Sequence, residues 1–336
     1  MSEKPLVTIG IIHYNNKQFL DKCLASYLNQ TYRNLEIIII DDCSTDGSQE
    51  YLQALAAEHE QIRCIYHEQN SGGPSLAIQE IIEHANGKYF QWIASDDFVE
   101  LDAIDKFVNF MESTDNDYVY CNFKIVNQHH AITNYWNYKT PSHNQIVQHI
   151  FNHCSGIIPM NGLYRTDFFR KHRLTWIIYQ GNDYSSDTLN SLHFIRHGMR
   201  YGMLPEHLIN YRIHEHNGSH NLSKRIKTSL SVYNFIIENF DESIYFPSID
   251  WDNQTNREQM KNYQLALFFY ERIREMLQLQ RVPKYIKYTI SQQELSQAVK
   301  PYIETGLMYV CKGLNTENPF STQSTALKLQ YENLLQ

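Results

Sequence analysis

The 336-residue sequence lacks a long apolar run, an excess of basic residues and any close pairing of cysteines. No segment approaches the ~20 consecutive apolar residues of a membrane helix, and the residues after Met1 contain no apolar signal-peptide region. The formal net charge is −8, whereas nucleic-acid binders usually carry a basic patch. None of the six cysteines forms a C-x-x-C pair, which argues against a zinc site or a disulfide framework. We therefore expect a cytoplasmic protein that binds no nucleic acid.

The first 125 residues alternate between two kinds of pattern. Apolar runs rich in β-branched residues predict buried strands at residues 6–13, 35–41, 62–67 and 89–94. Between them, apolar residues at helical spacing predict helices at residues 20–28, 51–57 and 78–82. This order predicts a Rossmann-like α/β fold with a mostly parallel, doubly wound sheet.

The later part of the sequence changes character. Residues 125–165 show no clear pattern, and a helix at 187–197 and strands at 201–204 and 208–213 are predicted after them. Beyond these strands, the spacing of apolar residues predicts helices at 226–237 and 260–277. We therefore predict an α/β domain at residues 1–221 and a helical C-terminal region at residues 222–336.

Two pairs of neighbouring carboxylates follow predicted strands, Asp41 with Asp42 and Asp96 with Asp97. Because ligands bind beyond the carboxyl ends of parallel strands, Asp42 and Asp97 are expected near one crevice. Paired carboxylates suit a divalent cation that also binds substrate phosphates. A single carboxylate can instead accept a hydrogen bond from a base or a ribose. Taken alone, each pair is explained at least as well by a turn or a helix cap.

The acidic pairs belong to an ordered series of motifs that resembles the family 2 glycosyltransferases of the GT-A fold. The series comprises Val7-Thr-Ile-Gly-Ile-Ile-His-Tyr-Asn15, Gln30-Thr31-Tyr32, Ile40-Asp-Asp-Cys-Ser-Thr-Asp-Gly47, Asn70-Ser-Gly-Gly-Pro74, Asn86-Gly-Lys-Tyr89, Trp92-Ile-Ala-Ser-Asp-Asp97, the segment from Ser186-Asp187 to Gly198, and Tyr211-Arg-Ile-His214. Each motif is weak alone, but the ordered set is specific for the family. The resemblance ends before the C-terminal helices.

The resemblance implies a binding site for a nucleotide-sugar donor. Ile12 and Tyr14, at the end of the first strand, would bind the base together with Asp42, which would contact the edge of a uracil. Asp96 would lie beside the ribose or the diphosphate. In place of an arginine that the family often uses for the diphosphate, this sequence has Ile78. The compensating cation would then come from Arg212, Lys224 or Arg225.

The resemblance also implies a metal ion and a general base. Asp97 would be the direct ligand of Mn²⁺ or Mg²⁺, and His214 would face the same cation or the diphosphate. Asp187 would take the proton of the acceptor hydroxyl in a single displacement with inversion. As the first residue of a predicted helix, Asp187 is expected to have a low pKa. Because Ser186 stands where the family usually has Glu, Asp183 is a rival base.

The implied activity is transfer of a sugar from a UDP-sugar to a glycan hydroxyl, in the synthesis of a surface polysaccharide. The acceptor would be a glycan or a lipid-linked glycan, reached by peripheral contact with the inner face of the membrane. The C-terminal helices could dock this acceptor, form a homodimer or pack on the core. One alternative is a nucleotidyltransferase, which would be expected to open with a Gly-rich basic loop that residues 11–17 do not form. Another is a non-catalytic glycan-binding or scaffold protein, suggested by Ile78 and Ser186.

Overall fold

The computed structural model describes residues 4–139, 145, 158–178, 183, 187–215, 217, 235, 238, 257–278, 292–314 and 321–334. The chain divides into two compact units. One comprises Met1–Thr140 and Ile158–Glu215, and the other includes the helices beyond residue 256. The predicted boundary at residue 221 lies outside the described residues, and it stays a prediction.

A nine-stranded sheet forms the centre of the first unit. Its strands are β1 Val7–His13, β2 Leu35–Asp41, β3 Ile62–Tyr66, β4 Tyr89–Ala94, β5 Phe98–Val99, β6 Tyr118–Asn127, β7 Ile132–Trp136, β8 Leu163–Arg165 and β9 Tyr201–Ile213. Their order is β3-β2-β1-β4-β8-β6-β9-β5, and β7 pairs with β6 beside this path. The first four strands are parallel, as are β6 and β9, whereas β5, β7 and β8 pair antiparallel. The predicted mostly parallel α/β sheet is confirmed.

Helices connect the strands. They include the four predicted at residues 20–28, 51–57, 78–82 and 187–197, whereas the helices at 103–113 and 166–172 were not predicted. The helices of this unit are α1 Lys17–Leu28, α2 Ser48–Glu58, α3 Ser75–His84, α4 Ala103–Ser113, α5 Thr166–His172 and α6 Asp187–Arg196. Helix α3 lies close against β1, since a Cβ atom at Gly10 would come within 2.4 Å of the Ile81 side chain. Glycine at this position therefore lets the helix approach the centre of the sheet.

The central strands end at a common edge. In the pairing of β1 with β2, Val7 lies opposite Leu35 and His13 lies opposite Asp41. On the other side of β1, Ile12 lies opposite Ala94, the last residue of β4. The strand interiors are isoleucine-rich and closed to solvent, as expected of a sheet covered on both faces. The residues that follow β1, β2 and β4 are consequently neighbours in space.

The structure differs from the sequence-based prediction beyond residue 97. Strand β9 is continuous over Tyr201–Ile213, although two strands were expected there. The region without a clear pattern contains β7, whose five residues are all exposed, and the short β8. Exposure on both faces of β7 explains the missing signal, because an alternating pattern requires one buried face.

The second unit is helical, as predicted. It contains α7 Arg257–Gln278, α8 Gln292–Leu314 and α9 Ser321–Leu334. Tyr331 of α9 is fully buried, and its hydroxyl donates a hydrogen bond to the carbonyl of Ala266 in α7 at 2.5 Å. Gly306 of α8 provides the space for this ring, because an added Cβ would lie 2.1 Å from the Tyr331 hydroxyl. The helix predicted at 226–237 falls almost wholly outside the described residues. Among the described helices, none is long and apolar enough to cross a membrane.

Candidate active site

The loops that follow β1 and β2 interlock at the common edge of the sheet. The backbone N–H of Asn15 donates to Ser44 Oγ at 2.9 Å, and the N–H of Thr45 donates to Asn15 Oδ1 at 2.8 Å. Asn15 and Cys43 have φ angles of 49° and 65°, a left-handed backbone that costs a non-glycine residue about 1–3 kcal/mol. The hydrogen bonds between the loops maintain this geometry, so the two loops form one unit, here called the wall, at the edge of the sheet where ligands of parallel sheets bind in a crevice.

Asp42 is buried in this wall and joins it to the loop that follows β3. Its Oδ1 atom accepts hydrogen bonds from His67 Nδ1 at 2.7 Å and from the Ser71 N–H at 2.9 Å. Its Oδ2 atom accepts hydrogen bonds from Asn70 Nδ2 at 3.0 Å and from Ser71 Oγ at 2.9 Å. The Ser71 hydroxyl also lies 2.7 Å from the carbonyl of Gly73, and its one proton serves one acceptor at a time. The three N–H donors and this hydroxyl together surround a carboxylate that has roughly four acceptor positions. A base could therefore bond to this carboxylate only by replacing one of them.

Ile12 and Tyr14 lie at the end of β1, beside the same crevice. The carbonyl of Ile12 accepts a hydrogen bond from the Ser95 N–H at 2.9 Å, which joins β1 to the turn after β4. Ser95 Oγ lies 2.8 Å from Nδ1 of the buried His13. The Tyr14 side chain is 46% exposed. An exposed aromatic ring at this position is available to stack on a planar ligand.

Asp96 and His214 form a pair at the same edge, next to the end of β1. Asp96 follows β4, His214 follows β9, and the Asp96 Oδ2 atom lies 2.9 Å from His214 Nε2. The imidazole is nearly closed to solvent, whereas the Asp96 side chain retains 12% of its exposure. The Phe19 ring packs against His214 with ring centroids 4.8 Å apart. The structure thus brings together two candidate residues that are 118 positions apart.

Asp97 is directed into the protein. Its side chain is buried, and its Oδ1 atom accepts a hydrogen bond from the backbone N–H of Arg212 at 2.8 Å. Burial, reinforced by the charge of Asp96, raises the pKa of Asp97 well above its usual range. Asp97 therefore anchors the turn after β4 to β9, while Asp96 is the more accessible of the two carboxylates.

Arg212 is an internal residue. It has no exposed surface, its Nε atom donates to the carbonyl of Asp96 at 2.6 Å, and its guanidinium lies 4.5 Å from the Phe19 ring centroid. The expectation that Arg212 supplies a cation for a diphosphate is therefore wrong, because its charge is enclosed by these groups. Lys224 and Arg225, the other candidates, lie outside the described residues.

The donor set of Asp96 and His214 fits a divalent cation that the substrate helps to bind. Carboxylate oxygen is the preferred protein ligand of Mg²⁺ and Mn²⁺, and Mg²⁺ is commonly held by one or two carboxylates with substrate phosphates and water. Among the described residues, no group of three or more His, Cys, Asp or Glu residues could hold an ion alone. The arrangement fits a cation carried with a phosphate ligand better than a permanently bound structural ion.

Asp187 begins α6 and has an unusual titration behaviour. Desolvation by the surrounding protein raises its pKa to about 7, although its side chain keeps contact with solvent. The expected low pKa is wrong, because desolvation outweighs the favourable field of the helix N-terminus.

Asp183, the rival candidate, is engaged with another helix. Its Oδ2 atom accepts a hydrogen bond from the Ser75 N–H at 2.5 Å, and its Oδ1 atom accepts one from Ser75 Oγ at 2.8 Å. Ser75 is the first residue of α3, so Asp183 satisfies the orphan donors of that helix. Gly73 leaves room for this contact, since a Cβ there would lie 2.6 Å from Asp183 Cγ. Both carboxylate oxygens of Asp183 therefore already bond protein groups.

Sequence reasoning missed His67, the partner of Asp42, and the internal position of Arg212. His67 comes directly after β3, at the position that singled out the acidic pairs after β2 and β4. The rule that functional side chains follow the carboxyl ends of parallel strands therefore also predicts His67 as a candidate. Arg212 gives no such signal, because a basic residue within a strand is normally expected at the surface.

Residues 8–173 match the model of the family described as glycosyl transferase family 2. One relative is TuaG of Bacillus subtilis, whose name describes a putative teichuronic acid biosynthesis glycosyltransferase. It is 37% identical to this chain over 108 residues, which are 32% of this chain and 42% of that protein. The glycosyltransferase GlyG of Streptococcus pneumoniae is 35% identical over 37% of this chain and 40% of that protein. This chain thus spans less than half of the length of these relatives.

Solved structures match over nearly the whole chain. S. aureus TarS 1–349 in complex with UDP-GlcNAc has a TM-score of 0.60 at 15% identity, covering 98% of this chain and 90% of that chain. A mannosyltransferase from Pyrobaculum calidifontis in complex with GDP-Man and Mn²⁺ has a TM-score of 0.54 at 13% identity, covering 99% of this chain and 87% of that chain. The family match confirms, over residues 8–173, the family predicted from the motifs. The solved structures confirm the predicted GT-A fold.

Proposed function

Residues 8–173 belong to glycosyl transferase family 2, and we propose that the chain transfers a sugar from a UDP-sugar to a glycan hydroxyl with inversion. The observation that carries the proposal is the pairing of Asp96 with His214. This pair lies at the edge of the sheet where β1 and β2 end and the loops after them begin. A site for a cation and phosphates then adjoins a wall suited to a nucleoside, as the two halves of a nucleotide-sugar require.

The donor would lie along this edge. The interlocked loops and the Tyr14 ring would hold the base and ribose. Asp42 would act mainly by organising the wall, since its oxygens already accept hydrogen bonds from His67, Asn70 and the Ser71 N–H. A uridine donor is supported by the complexes of TarS with UDP and UDP-GlcNAc. It is also consistent with the uracil role that the motif resemblance gives to Asp42.

Asp96 and His214 would hold the cation, with Asp96 rather than Asp97 as the direct ligand. The accessibility of the Asp96 carboxylate supports this choice, because the Asp97 carboxylate is buried and accepts the Arg212 N–H. Bound there with the diphosphate, Mn²⁺ or Mg²⁺ would neutralise the negative charge that develops on the departing group.

Asp187 is the general base in this proposal. The acceptor hydroxyl gives its proton to the Asp187 carboxylate, and its oxygen bonds to the anomeric carbon opposite the diphosphate. The bond from that carbon to the diphosphate oxygen breaks, and its electron pair leaves with UDP. A pKa of about 7 suits this role, because a base is most effective when its pKa lies near the working pH. Asp183 is less suitable, since Ser75 occupies its oxygens.

The acceptor would be a hydroxyl of a cell-surface polymer. The name of TuaG refers to teichuronic acid, and another relative, from Bacillus spizizenii, is a poly(ribitol-phosphate) beta-glucosyltransferase that is 32% identical over 36% of this chain. Both names describe enzymes of polymers rich in sugar or polyol hydroxyls, which supports a role in surface polysaccharide synthesis.

Donor hydrolysis tests the proposal without an identified acceptor. The protein is incubated with UDP-glucose or UDP-N-acetylglucosamine, with Mn²⁺ or with EDTA, and released UDP is measured. We expect slow, Mn²⁺-dependent release that is lost in Asp96→Asn, and binding of UDP that raises the melting temperature of the wild type. If neither donor is hydrolysed and neither raises the melting temperature, the transferase proposal is refuted and a scaffold protein is favoured. Incorporation of a sugar phosphate from a nucleoside triphosphate would favour a nucleotidyltransferase.

A further inference from the structure

His67 lies between two carboxylates that come from different elements. Its Nδ1 atom is 2.7 Å from Asp42 Oδ1, at the end of β2, and its Nε2 atom is 3.0 Å from Glu80 Oε2, on α3. Its side chain is 11% exposed, that of Asp42 is 8% exposed, and that of Glu80 is 25% exposed. The three side chains form a chain of hydrogen bonds that we call the His67 bridge.

The geometry of the bridge requires a bound proton. When Asp42 and Glu80 are both ionised, their oxygens only accept hydrogen bonds, so both nitrogens of His67 donate, and an imidazole with two N–H groups is positively charged. Protonation of Asp42 instead is disfavoured, because its oxygens also accept hydrogen bonds from Ser71 and Asn70. Burial alone would lower the pKa of His67, but the hydrogen bonds and charges of Asp42 and Glu80 raise it above its usual range.

The bridge connects three parts of the crevice wall. The Asp42 carboxylate accepts hydrogen bonds from the backbone N–H and the hydroxyl of Ser71, a residue of the loop between β3 and α3. Glu80 belongs to α3, the helix that this loop enters. Asp42 from β2 and Glu80 from α3 are the charged groups that act on His67. Without its proton, His67 could donate to only one of them, and its lone pair would face the other.

We propose that His67 is a positioning residue of the nucleotide crevice, whose charged form fixes Asp42 and the loop after β3 so that nucleotide affinity falls when His67 loses its proton. This inference rests on the proposed function, in which Asp42 belongs to the wall that holds the nucleoside. It extends that function by making donor binding depend on the protonation of a residue that does not touch the donor.

Calorimetric titration with UDP and Mn²⁺ between pH 6 and pH 8.5 tests the proposal. The variants are His67→Gln and Glu80→Gln, and the matched control is Glu83→Gln, which changes an exposed glutamate on the same helix. If UDP binding shifts the pKa of His67 by about one unit, wild-type affinity should fall by about tenfold over this range. The ionisation of UDP itself is common to all variants, so the comparison between them isolates His67.

The expected pattern separates a positioning role from a purely structural one. His67→Gln should bind UDP weakly at pH 6 and show a flatter pH dependence than the wild type. Glu80→Gln should move the wild-type fall to lower pH, and Glu83→Gln should match the wild type. The same pH dependence in wild type and His67→Gln would overturn the role of His67 while leaving the donor assignment intact. Absence of UDP binding to the wild type at every pH would overturn the donor assignment, and this inference with it.

Discussion

The pH dependence of turnover gives the sharpest test of Asp187. With a pKa of about 7, the carboxylate is roughly one-tenth ionised at pH 6 and nine-tenths ionised at pH 8. Because the ionised form is the base, the rate of donor consumption should rise roughly tenfold between these values and then level off. An aspartate with an ordinary pKa of about 3.9 would give a flat profile over the same range.

Released UDP is measured with UDP-N-acetylglucosamine and saturating Mn²⁺, with water as the acceptor. Asp187→Asn should lower the plateau by about 10²–10⁴-fold, the usual contribution of a positioned base, and leave UDP affinity nearly unchanged. Asp183→Asn is the control, because it changes the same functional group on the rival residue. It should keep the rise with pH but lower the melting temperature, since it weakens the cap of α3 by about 1 kcal/mol. An active Asp187→Asn with an unchanged profile, together with an inactive Asp183→Asn, would refute this assignment and move the base to Asp183.

Three further predictions concern the metal, the wall and the loop at Gly73. Asp96→Asn should abolish the Mn²⁺-dependent part of UDP affinity in calorimetry, whereas Asp97→Asn should mainly lower the melting temperature; the reverse pattern would make Asp97 the metal ligand. Asp42→Ala strands the donors of the wall, so it should cost about 1–3 kcal/mol of UDP affinity, and unchanged affinity would contradict a role in the crevice. Gly73→Ala should displace the Asp183 carboxylate and lower the melting temperature as much as Asp183→Asn does. If both changes act on the same contact, the double variant should melt at nearly the same temperature as either single variant.

The parallel half of the sheet could be predicted because its strands are short apolar runs, as expected of strands buried on both faces. Strand β2 is apolar from Leu35 to Ile40 except at Glu36, and both of its predicted ends agree with the structure. Strand β7 could not be predicted in this way, because exposure of both faces leaves no pattern. Two strands, at residues 201–204 and 208–213, are predicted where β9 is continuous. The gap between them contains Pro205, a residue that normally marks the end or the edge of a strand.

The candidate site was predictable in position and less so in chemistry. The positions of Asp42 and Asp97 after strands predicted that they lie near one crevice. The strands before them do end at a common edge, but the Asp97 carboxylate is buried and accepts the Arg212 N–H. Which carboxylate of a neighbouring pair is accessible depends on a partner far along the chain, such as Arg212 for Asp97. The pKa of Asp187 likewise reflects desolvation in the folded protein, and the helix start visible in the sequence predicts the opposite shift. Such properties arise from tertiary packing, and local sequence patterns do not contain them.

The interlock of the first two loops has a consequence for protein engineering. Asn15 in the loop after β1 bonds Ser44 and Thr45 in the loop after β2, so neither loop has an independent conformation. A chimaera that imports the second loop alone from a relative, to change the preferred base, would leave Asn15 facing foreign partners. Transplanting both loops as one cassette would preserve the hydrogen bonds that support two left-handed residues. Base preference in this scaffold is therefore best exchanged as a two-loop module.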